Sequence, residues 1–237
     1  ATLGGVTLTD PGGPPHPTAG PIRHVVWDWN GTLLADTDLT VASANAAFSA
    51  IGQPVHVTKA AWQRHTTRPI RATYDALAGR QLAEPEWQVI QTVWMSHYLA
   101  GFPQVPLASD AVPALDLAAQ LGLSQSIVSL HLASELTGHV AARGVSHRFV
   151  RITGAPDQAG AGGTPSKATL LATHLTALDL APAQVLMVGD MADDALAAAA
   201  VGAQAVLVAT GDTSAERLAA TGFPVAPDLV AAIRHAA

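Results

Sequence analysis

The apolar run Val25-Val26-Trp27 ends at a carboxylate, Asp28, and this feature constrains the fold more than any other in the chain. The run is typical of a short buried strand, and Asn30-Gly31-Thr32 is typical of the turn that leaves one. Open α/β sheets carry their functional groups at the carboxyl ends of the strands. Asp28 is therefore predicted to lie at the functional edge of such a sheet.

A second apolar run ends in the same way far along the chain. Val185-Leu186-Met187-Val188 leads into Gly189-Asp190, and Asp194 follows four residues later. Two carboxylate groups at neighbouring strand ends form an oxygen-rich site for a hard cation, because Mg2+ prefers oxygen ligands and keeps some of its waters. The sequence therefore predicts a hard-cation site between Asp28 and the acidic cluster that begins at Asp190.

The rest of the chain predicts the architecture around these strand ends. Helical and extended patterns alternate after residue 104, which indicates βα units, a mostly parallel sheet and helices on both of its faces. The predicted strands are 22–27, 125–129, 148–152, 184–188 and 204–208. The predicted helices are 39–51, 87–99, 111–121, 133–143, 166–178 and 193–201.

These patterns divide the chain into three parts. Residues 1–21, rich in glycine and proline, are predicted to be a disordered leader. Residues 22–36 and 104–237 are predicted to form an α/β core with a Rossmann-like, open, mostly parallel sheet, and 37–103 an inserted α-helical cap. The expected fold class is therefore α/β with a helical insertion.

Composition excludes several classes of protein. With 237 residues and 49% apolar residues the chain can bury a full core, and its net charge of -6 argues against a general nucleic-acid binder. The absence of cysteine excludes disulfides and thiolate sites. No apolar run is long enough for a membrane span, and no export signal is visible, so the expected location is the cytoplasm. The oligomeric state stays open.

The two acidic motifs resemble motifs I and IV of the haloacid dehalogenase superfamily, and the helical insertion after the first strand resembles the cap of its phosphoglycolate phosphatase branch. The resemblance implies a Mg2+-dependent phosphomonoester hydrolase that acts on a small phosphorylated metabolite through an aspartyl-phosphate at Asp28. It implies that Asp190 and Asp194 bind the metal, together with Asp28 and the backbone carbonyl of Asn30.

The resemblance extends to two further motifs. Ser129 stands where motif II supplies a hydroxyl to the phosphoryl oxygens, and Lys167 stands where motif III supplies the cation that stabilises the nucleophile. Both motifs depart from the commonest family pattern. Leu130 and His131 follow Ser129, where asparagine is frequent, and Ala168 follows Lys167, where proline is frequent.

Asn30 departs from the family at a chemically important position. The phosphatases usually carry an aspartate there, which protonates the leaving oxygen and then activates water, whereas an amide cannot exchange a proton at neutral pH. Slow turnover is therefore expected. The same residue argues against a phosphomutase, and the full acidic pattern argues against a dehalogenase. The alternative function is an attenuated member of the fold that binds a phosphorylated ligand or a protein partner.

The insertion carries the densest group of cationic and aromatic residues. Arg64, His65 and Arg68 are candidate substrate contacts, since caps of this class close over the core and contribute to specificity. His131 is a further candidate substrate contact. His65 and His131 are also possible proton shuttles, because histidine titrates near neutral pH.

Overall fold

A single sheet of six parallel strands forms the centre of the molecule. The computed structural model describes residues 21–157 and 165–235. The strands are β1 His24–Trp27, β2 Ser124–Leu132, β3 Arg151–Ala155, β4 Val185–Gly189, β5 Gln204–Val208 and β6 Val225–Ala226. The strand order is β3-β2-β1-β4-β5-β6, which places the first strand between two later ones as in a Rossmann-like sheet.

Ten α-helices accompany these strands in the described residues. Four lie between β1 and the rest of the core and make up the helical insertion: α1 Thr37–Ala50, α2 Lys59–His65, α3 Ile70–Ala78 and α4 Glu84–Gly101. The others follow or connect the later strands: α5 Ala111–Gln120, α6 Ala133–Ala142, α7 Lys167–Ala177, α8 Ala192–Val201, α9 Ala215–Ala219 and α10 Leu229–Arg234.

Burial on both faces explains why β1 is apolar without alternation. Val25 and Trp27 pack into the cluster that includes α5 and α10, while Val26 packs on the opposite face against α7 and α8. A parallel sheet covered on both sides needs such a continuous apolar run. The predicted α/β fold class is thus confirmed.

The register of the strands sets the position of the polar residues that follow them. Trp27 of β1 pairs with Val188 of β4 on one side and with Ile127 of β2 on the other. The residues just beyond these pairs therefore meet at one edge of the sheet. Those residues are Asp28, Ser129 and Asp190.

The insertion has an apolar core of its own and also contacts the α/β core. Phe48, Trp62, Tyr74 and Ile90 are buried together between its helices. The Nε2 atom of Gln63 donates a 2.7 Å hydrogen bond to the carbonyl oxygen of Gly211, in the loop after β5. The helices thus pack over the carboxyl edge of the sheet.

Several elements differ from those predicted by the sequence. Helices α2 and α3 were not predicted, because they are short and separated by prolines and polar residues. The third strand begins at Arg151, since 146–148 form a 3-10 turn. The predicted leader lies outside the described residues except for Pro21. No described helix is long and apolar enough to cross a membrane.

A row of polar side chains crosses the sheet beneath the functional edge. His24 Nε2 lies 2.6 Å from Ser126 Oγ, and the same oxygen lies 2.7 Å from His174 Nε2. His174 Nδ1 in turn lies 2.7 Å from Thr153 Oγ1. Both histidines are fully buried, and burial lowers the pKa of each to about 4, so both are neutral at pH 7.

Candidate active site

Three carboxylates converge at the carboxyl ends of β1 and β4. Asp28, Asp190 and Asp194 are buried, and each offers an oxygen atom within 4.8 Å of the others. Asp28 follows β1 directly, and Asp190 follows β4. Asp194 lies in the first turn of α8, where its Oδ2 atom accepts a 3.0 Å hydrogen bond from the backbone nitrogen of Met191. The structure therefore brings together the three acidic side chains that the sequence predicted to meet.

Lys167 joins this group from the start of α7. Ser166 caps the helix by accepting a hydrogen bond from the backbone nitrogen of Thr169, which fixes the first turn. The Nζ atom of Lys167 lies 2.5 Å from Asp28 Oδ1 and also forms an ion pair with Asp194. Its side chain is buried, so the ammonium group interacts with these two carboxylates and not with bulk solvent.

Glycine makes this close approach feasible. Gly31 has a φ of +73°, and a β-carbon built there would overlap the Asp190 carboxylate. Thr32, the next residue, places its hydroxyl 3.3 Å from Asp190 Oδ1 and 3.5 Å from Asp28 Oδ2. The turn after β1 thus requires a left-handed residue without a side chain, followed by a small hydroxyl.

The site carries more negative charge on its carboxylates than positive charge on its lysine. Burial raises the pKa of Asp28, Asp190 and Asp194 above the ordinary range. Lys167 opposes the rise at Asp28 and Asp194. Burial by itself would lower the pKa of Lys167, but the carboxylates of Asp194 and Asp28 raise it overall.

The residues present fit a divalent cation. Among the described residues, only Lys167 forms an ion pair with any of the three carboxylates, and it pairs with Asp28 and Asp194. Two negative charges are therefore uncompensated when all three are ionised. The available donors are carboxylate oxygens, the ligands that Mg2+ prefers. A hard cation of charge +2 matches both the excess charge and the donor type.

Asn30 points into a hydrogen-bond network beside this group. Its Nδ2 atom donates to Asp36 Oδ2 at 2.8 Å and lies 3.0 Å from Tyr98 Oη. The Tyr98 hydroxyl also donates to Asp36 Oδ2, at 2.5 Å, and the backbone nitrogen of Gly31 donates to Asp36 Oδ1. Burial raises the pKa of Asp36, while the hydrogen bonds from Tyr98, Asn30 and Gly31 lower it.

A pocket of about 490 Å3 opens above the carboxylates. Ser129 lines it from β2, and its hydroxyl accepts a 3.1 Å hydrogen bond from the backbone nitrogen of His131. His131 lines it as well, 3.3 Å from Glu135. The described lining includes Arg68 but neither Arg64 nor His65, which are exposed elsewhere on α2.

Comparison with known proteins supports the reading of the motifs. Residues 162–233 match the model of the Hydrolase_like family, described as HAD-hydrolase-like. A search of curated proteins finds no match. A haloacid dehalogenase-like hydrolase from Streptococcus pneumoniae has a similar structure, with a TM-score of 0.75 and 19% identity over 90% of this chain and 98% of that one. The protein has the haloacid dehalogenase fold.

Two further solved structures are similar to this chain. A predicted phosphoglycolate phosphatase from Haemophilus somnus is 18% identical, with a TM-score of 0.71, over 91% of this chain and 98% of that one. Protein tyrosine kinase A from Mycobacterium tuberculosis is 26% identical, with a TM-score of 0.66, over 82% and 87%. The resemblance to haloacid dehalogenase superfamily hydrolases is therefore confirmed, and the predicted enzyme class, a phosphatase, agrees with the name of the structure from Haemophilus somnus.

The haloacid dehalogenase core also contains site residues that sequence reasoning missed. Asp212 follows β5, lines the pocket and donates its backbone nitrogen to Asp190 Oδ2 at 2.5 Å. Burial raises its pKa to about 6. The sequence pattern could have identified Asp212, because it is a carboxylate that follows an apolar strand, as Asp28 does. Asp36 and Tyr98 line the same pocket, and no local pattern pairs residues that lie so far apart in the sequence.

Proposed function

We propose that the protein is a Mg2+-dependent phosphomonoester hydrolase that works through an aspartyl-phosphate at Asp28. One observation carries the proposal: three buried carboxylates and one buried lysine meet at the strand ends that border a pocket. The arrangement offers a nucleophile, a cation beside it and oxygen ligands for a metal.

The residues of the chain have separate roles in this reaction. An Asp28 carboxylate oxygen attacks phosphorus, the ester P–O bond breaks, and the departing alcohol oxygen takes up a proton. Water then attacks the aspartyl-phosphate and releases phosphate and free Asp28. Lys167, 2.5 Å from Asp28 Oδ1, stabilises the nucleophile and the transferring charge. The Ser129 hydroxyl binds a phosphoryl oxygen.

Asp28, Asp190, Asp194 and the backbone carbonyl of Asn30 would hold the metal. Mg2+ bound there screens the repulsion between an anionic nucleophile and an anionic phosphate. The same three carboxylates would lose part of their elevated pKa once a cation lies between them.

The proton transfers of this reaction need a group other than the side chain at position 30. Asn30 cannot titrate, and its amide is bonded to Asp36. His131 shares the pocket with Asp28, and burial lowers its pKa, so its imidazole is neutral at pH 7 and can accept a proton. We expect hydrolysis through His131 to be slow compared with hydrolysis assisted by a carboxyl group at position 30 that is free to exchange a proton.

The helical segment 37–103 is proposed as a cap, because its helices supply most of the pocket wall opposite the strand ends. Arg68 lies on this wall and forms a 3.3 Å ion pair with Asp193. The substrate would enter between the two parts of the chain, with its phosphate at the core.

A second candidate is phosphoryl chemistry, or binding of a phosphorylated ligand, without efficient hydrolysis. Asn30 favours it, since dephosphorylation of the aspartyl-phosphate by water lacks the usual base. The similarity to a structure named as a protein tyrosine kinase also supports phosphoryl chemistry without supporting water as the acceptor.

The test is phosphate release from a panel of phosphomonoesters with Mg2+ and with EDTA, for the parent and for Asp28→Asn. The proposal expects release that requires both Mg2+ and Asp28. Release that persists in Asp28→Asn would remove Asp28 as the nucleophile. A stable phosphoenzyme without release, or phosphate transfer from ATP to a tyrosine peptide, would support the second candidate instead.

A further inference from the structure

Aromatic side chains of the insertion form most of the pocket wall that faces the strand ends. Trp62, Tyr74, Trp87, Trp94 and Tyr98 all line the cavity of about 490 Å3. That volume is within the range of small-molecule sites and holds a phosphate together with a ring-sized group. The phosphate end is fixed by Asp28 and Lys167, so the aromatic wall meets the remainder of a substrate.

The aromatic wall is held by its own packing. Tyr74 makes edge contacts with Trp62 and Trp87, with ring centroids 5.9 Å and 5.5 Å apart. Trp94 stacks on Tyr98 at 4.6 Å, and the hydroxyl of Tyr98 is anchored on Asp36. These rings are therefore pre-positioned, and a flat ligand can pack against them without reordering the wall.

Apolar side chains with large exposed areas surround the same opening. Met95 is 50% exposed, Leu99 48% and Leu132 42%, and all three line the pocket. Exposed apolar side chains that line a pocket are typical of a surface that a ligand covers. A ligand with a hydrocarbon portion would remove this surface from water.

Charge argues against a second anionic group on the ligand. Apart from the proposed metal ligands Asp28 and Asp194, four described lining residues carry a carboxyl group: Asp36, Glu135, Asp193 and Asp212. The described lysines and arginines of the lining are Lys167 and Arg68, and both already form ion pairs with carboxylates. A carboxylate such as that of phosphoglycolate would meet net negative charge beyond the phosphate position.

We infer that the alcohol esterified to the phosphate is uncharged and aromatic, so that the substrate is an aryl or arylalkyl phosphate. This inference rests on the proposed function for the position of the phosphate. The aromatic wall and apolar rim bind the ring, and the acidic lining rejects anionic alcohols. It departs from the prediction of cationic contacts from Arg64 and His65.

Binding of phosphonates tests this preference without requiring turnover. The probes are three phosphonates that differ in their second group. Benzylphosphonate carries an aromatic ring, phosphonoacetate carries a carboxylate, and methylphosphonate carries neither. With Mg2+ present, tryptophan fluorescence and calorimetry should give benzylphosphonate a Kd about tenfold or more below that of methylphosphonate, since burying a phenyl ring is strongly favourable. Phosphonoacetate should bind more weakly than methylphosphonate.

Variants locate the preference in the pocket. The double change Met95→Ala with Leu99→Ala should raise the Kd of benzylphosphonate about fivefold and leave that of methylphosphonate within about twofold. Leu196→Ala is the matched control, because Leu196 is 60% exposed on α8 and does not line this pocket. It should change neither constant.

The outcomes separate this inference from the proposed function. Equal affinity for benzylphosphonate and methylphosphonate, or a preference for phosphonoacetate, overturns the inference even if phosphomonoesters are hydrolysed. Tight benzylphosphonate binding without hydrolysis of 2-phenylethyl or ethyl phosphate overturns the proposed hydrolase and retains the aromatic site. Where both esters are hydrolysed, 2-phenylethyl phosphate should have the lower KM.

Discussion

The amide of Asn30 donates to the carboxylate of Asp36, with Nδ2 2.8 Å from Oδ2. The amide at position 30 therefore supplies a hydrogen-bond donor to a buried carboxylate. From the sequence alone, Asn30→Asp is expected to restore acid-base catalysis and to accelerate hydrolysis. The contact with Asp36 changes that expectation, because the variant would place two carboxyl groups in contact, and one of them would hold a proton at neutral pH.

We predict that Asn30→Asp alone stays slow and lowers the melting temperature, whereas Asn30→Asp with Asp36→Asn is faster than the parent. The double variant keeps one amide and one carboxyl in the pair but places the titratable group at position 30. General acid-base catalysis is worth about 10²- to 10⁴-fold, so a gain of about tenfold in steady-state phosphate release is a conservative expectation. Asp36→Asn alone is the control and should remain slow. Equal rates for the single and double variants at pH 7 would show that Asp36 does not restrict position 30.

The second prediction concerns the metal. Mg2+ should raise the melting temperature of the parent, because a cation that binds only the folded state stabilises it by about 2.7 kcal/mol at 100 times its Kd. Asp190→Asn should lose most of this rise, since Asp190 is one of three buried carboxylates that can share the ion. Glu216→Gln, an exposed change, is the control. An unchanged rise in Asp190→Asn would show that the ion binds elsewhere.

The acidic site was predictable because strand ends are visible in a sequence. Asp28 and Asp190 each follow an apolar run, and parallel strands bring such ends to one edge. The contacts of Asp36 with Asn30 and Tyr98 were not predictable, because they depend on how the insertion folds back over the first turn.

The sequence also did not predict which charged side chains of the insertion line the pocket. Arg64 and His65 are close to Arg68 in the sequence, yet they are exposed on the last turn of α2 and do not line the pocket, whereas Arg68, in the segment after α2, does. Residue type and density alone therefore did not distinguish a pocket residue from an exposed one.

The third prediction separates these arginines. Arg68→Ala should raise KM about two- to fivefold for aryl and alkyl phosphates alike, because it removes the cation that pairs with Asp193 beside the site. The expected effect is modest because this ion pair is partly exposed to solvent. Arg64→Ala is the matched control and should leave KM within about twofold, as expected of a surface position. A larger effect of Arg64→Ala than of Arg68→Ala would contradict the placement of these side chains.

The last prediction follows from the buried pair His24 and His174, which share Ser126 Oγ. Burial lowers the pKa of each from 6.5 to about 4 in the folded protein. Between these values the unfolded chain binds more protons than the folded one, so the free energy of unfolding falls as the pH falls from 6.5 towards 4. The contribution is fully present above 6.5, and its loss amounts to at most about 3 kcal/mol for each histidine.

Urea unfolding of the parent and of His174→Gln between pH 7.5 and 4.5 measures this contribution. The buried carboxyl groups, whose pKa values are raised, change stability in the opposite direction, but they are common to both proteins and cancel in the difference. The variant should therefore be less stable than the parent at pH 7.5, and this deficit should shrink by roughly 1 to 3 kcal/mol at pH 4.5. His147→Gln, at an exposed position, should follow the parent curve. If His174→Gln also runs parallel to the parent across the whole range, folding does not lower the pKa of His174, and this histidine does not contribute to the acid sensitivity of the fold.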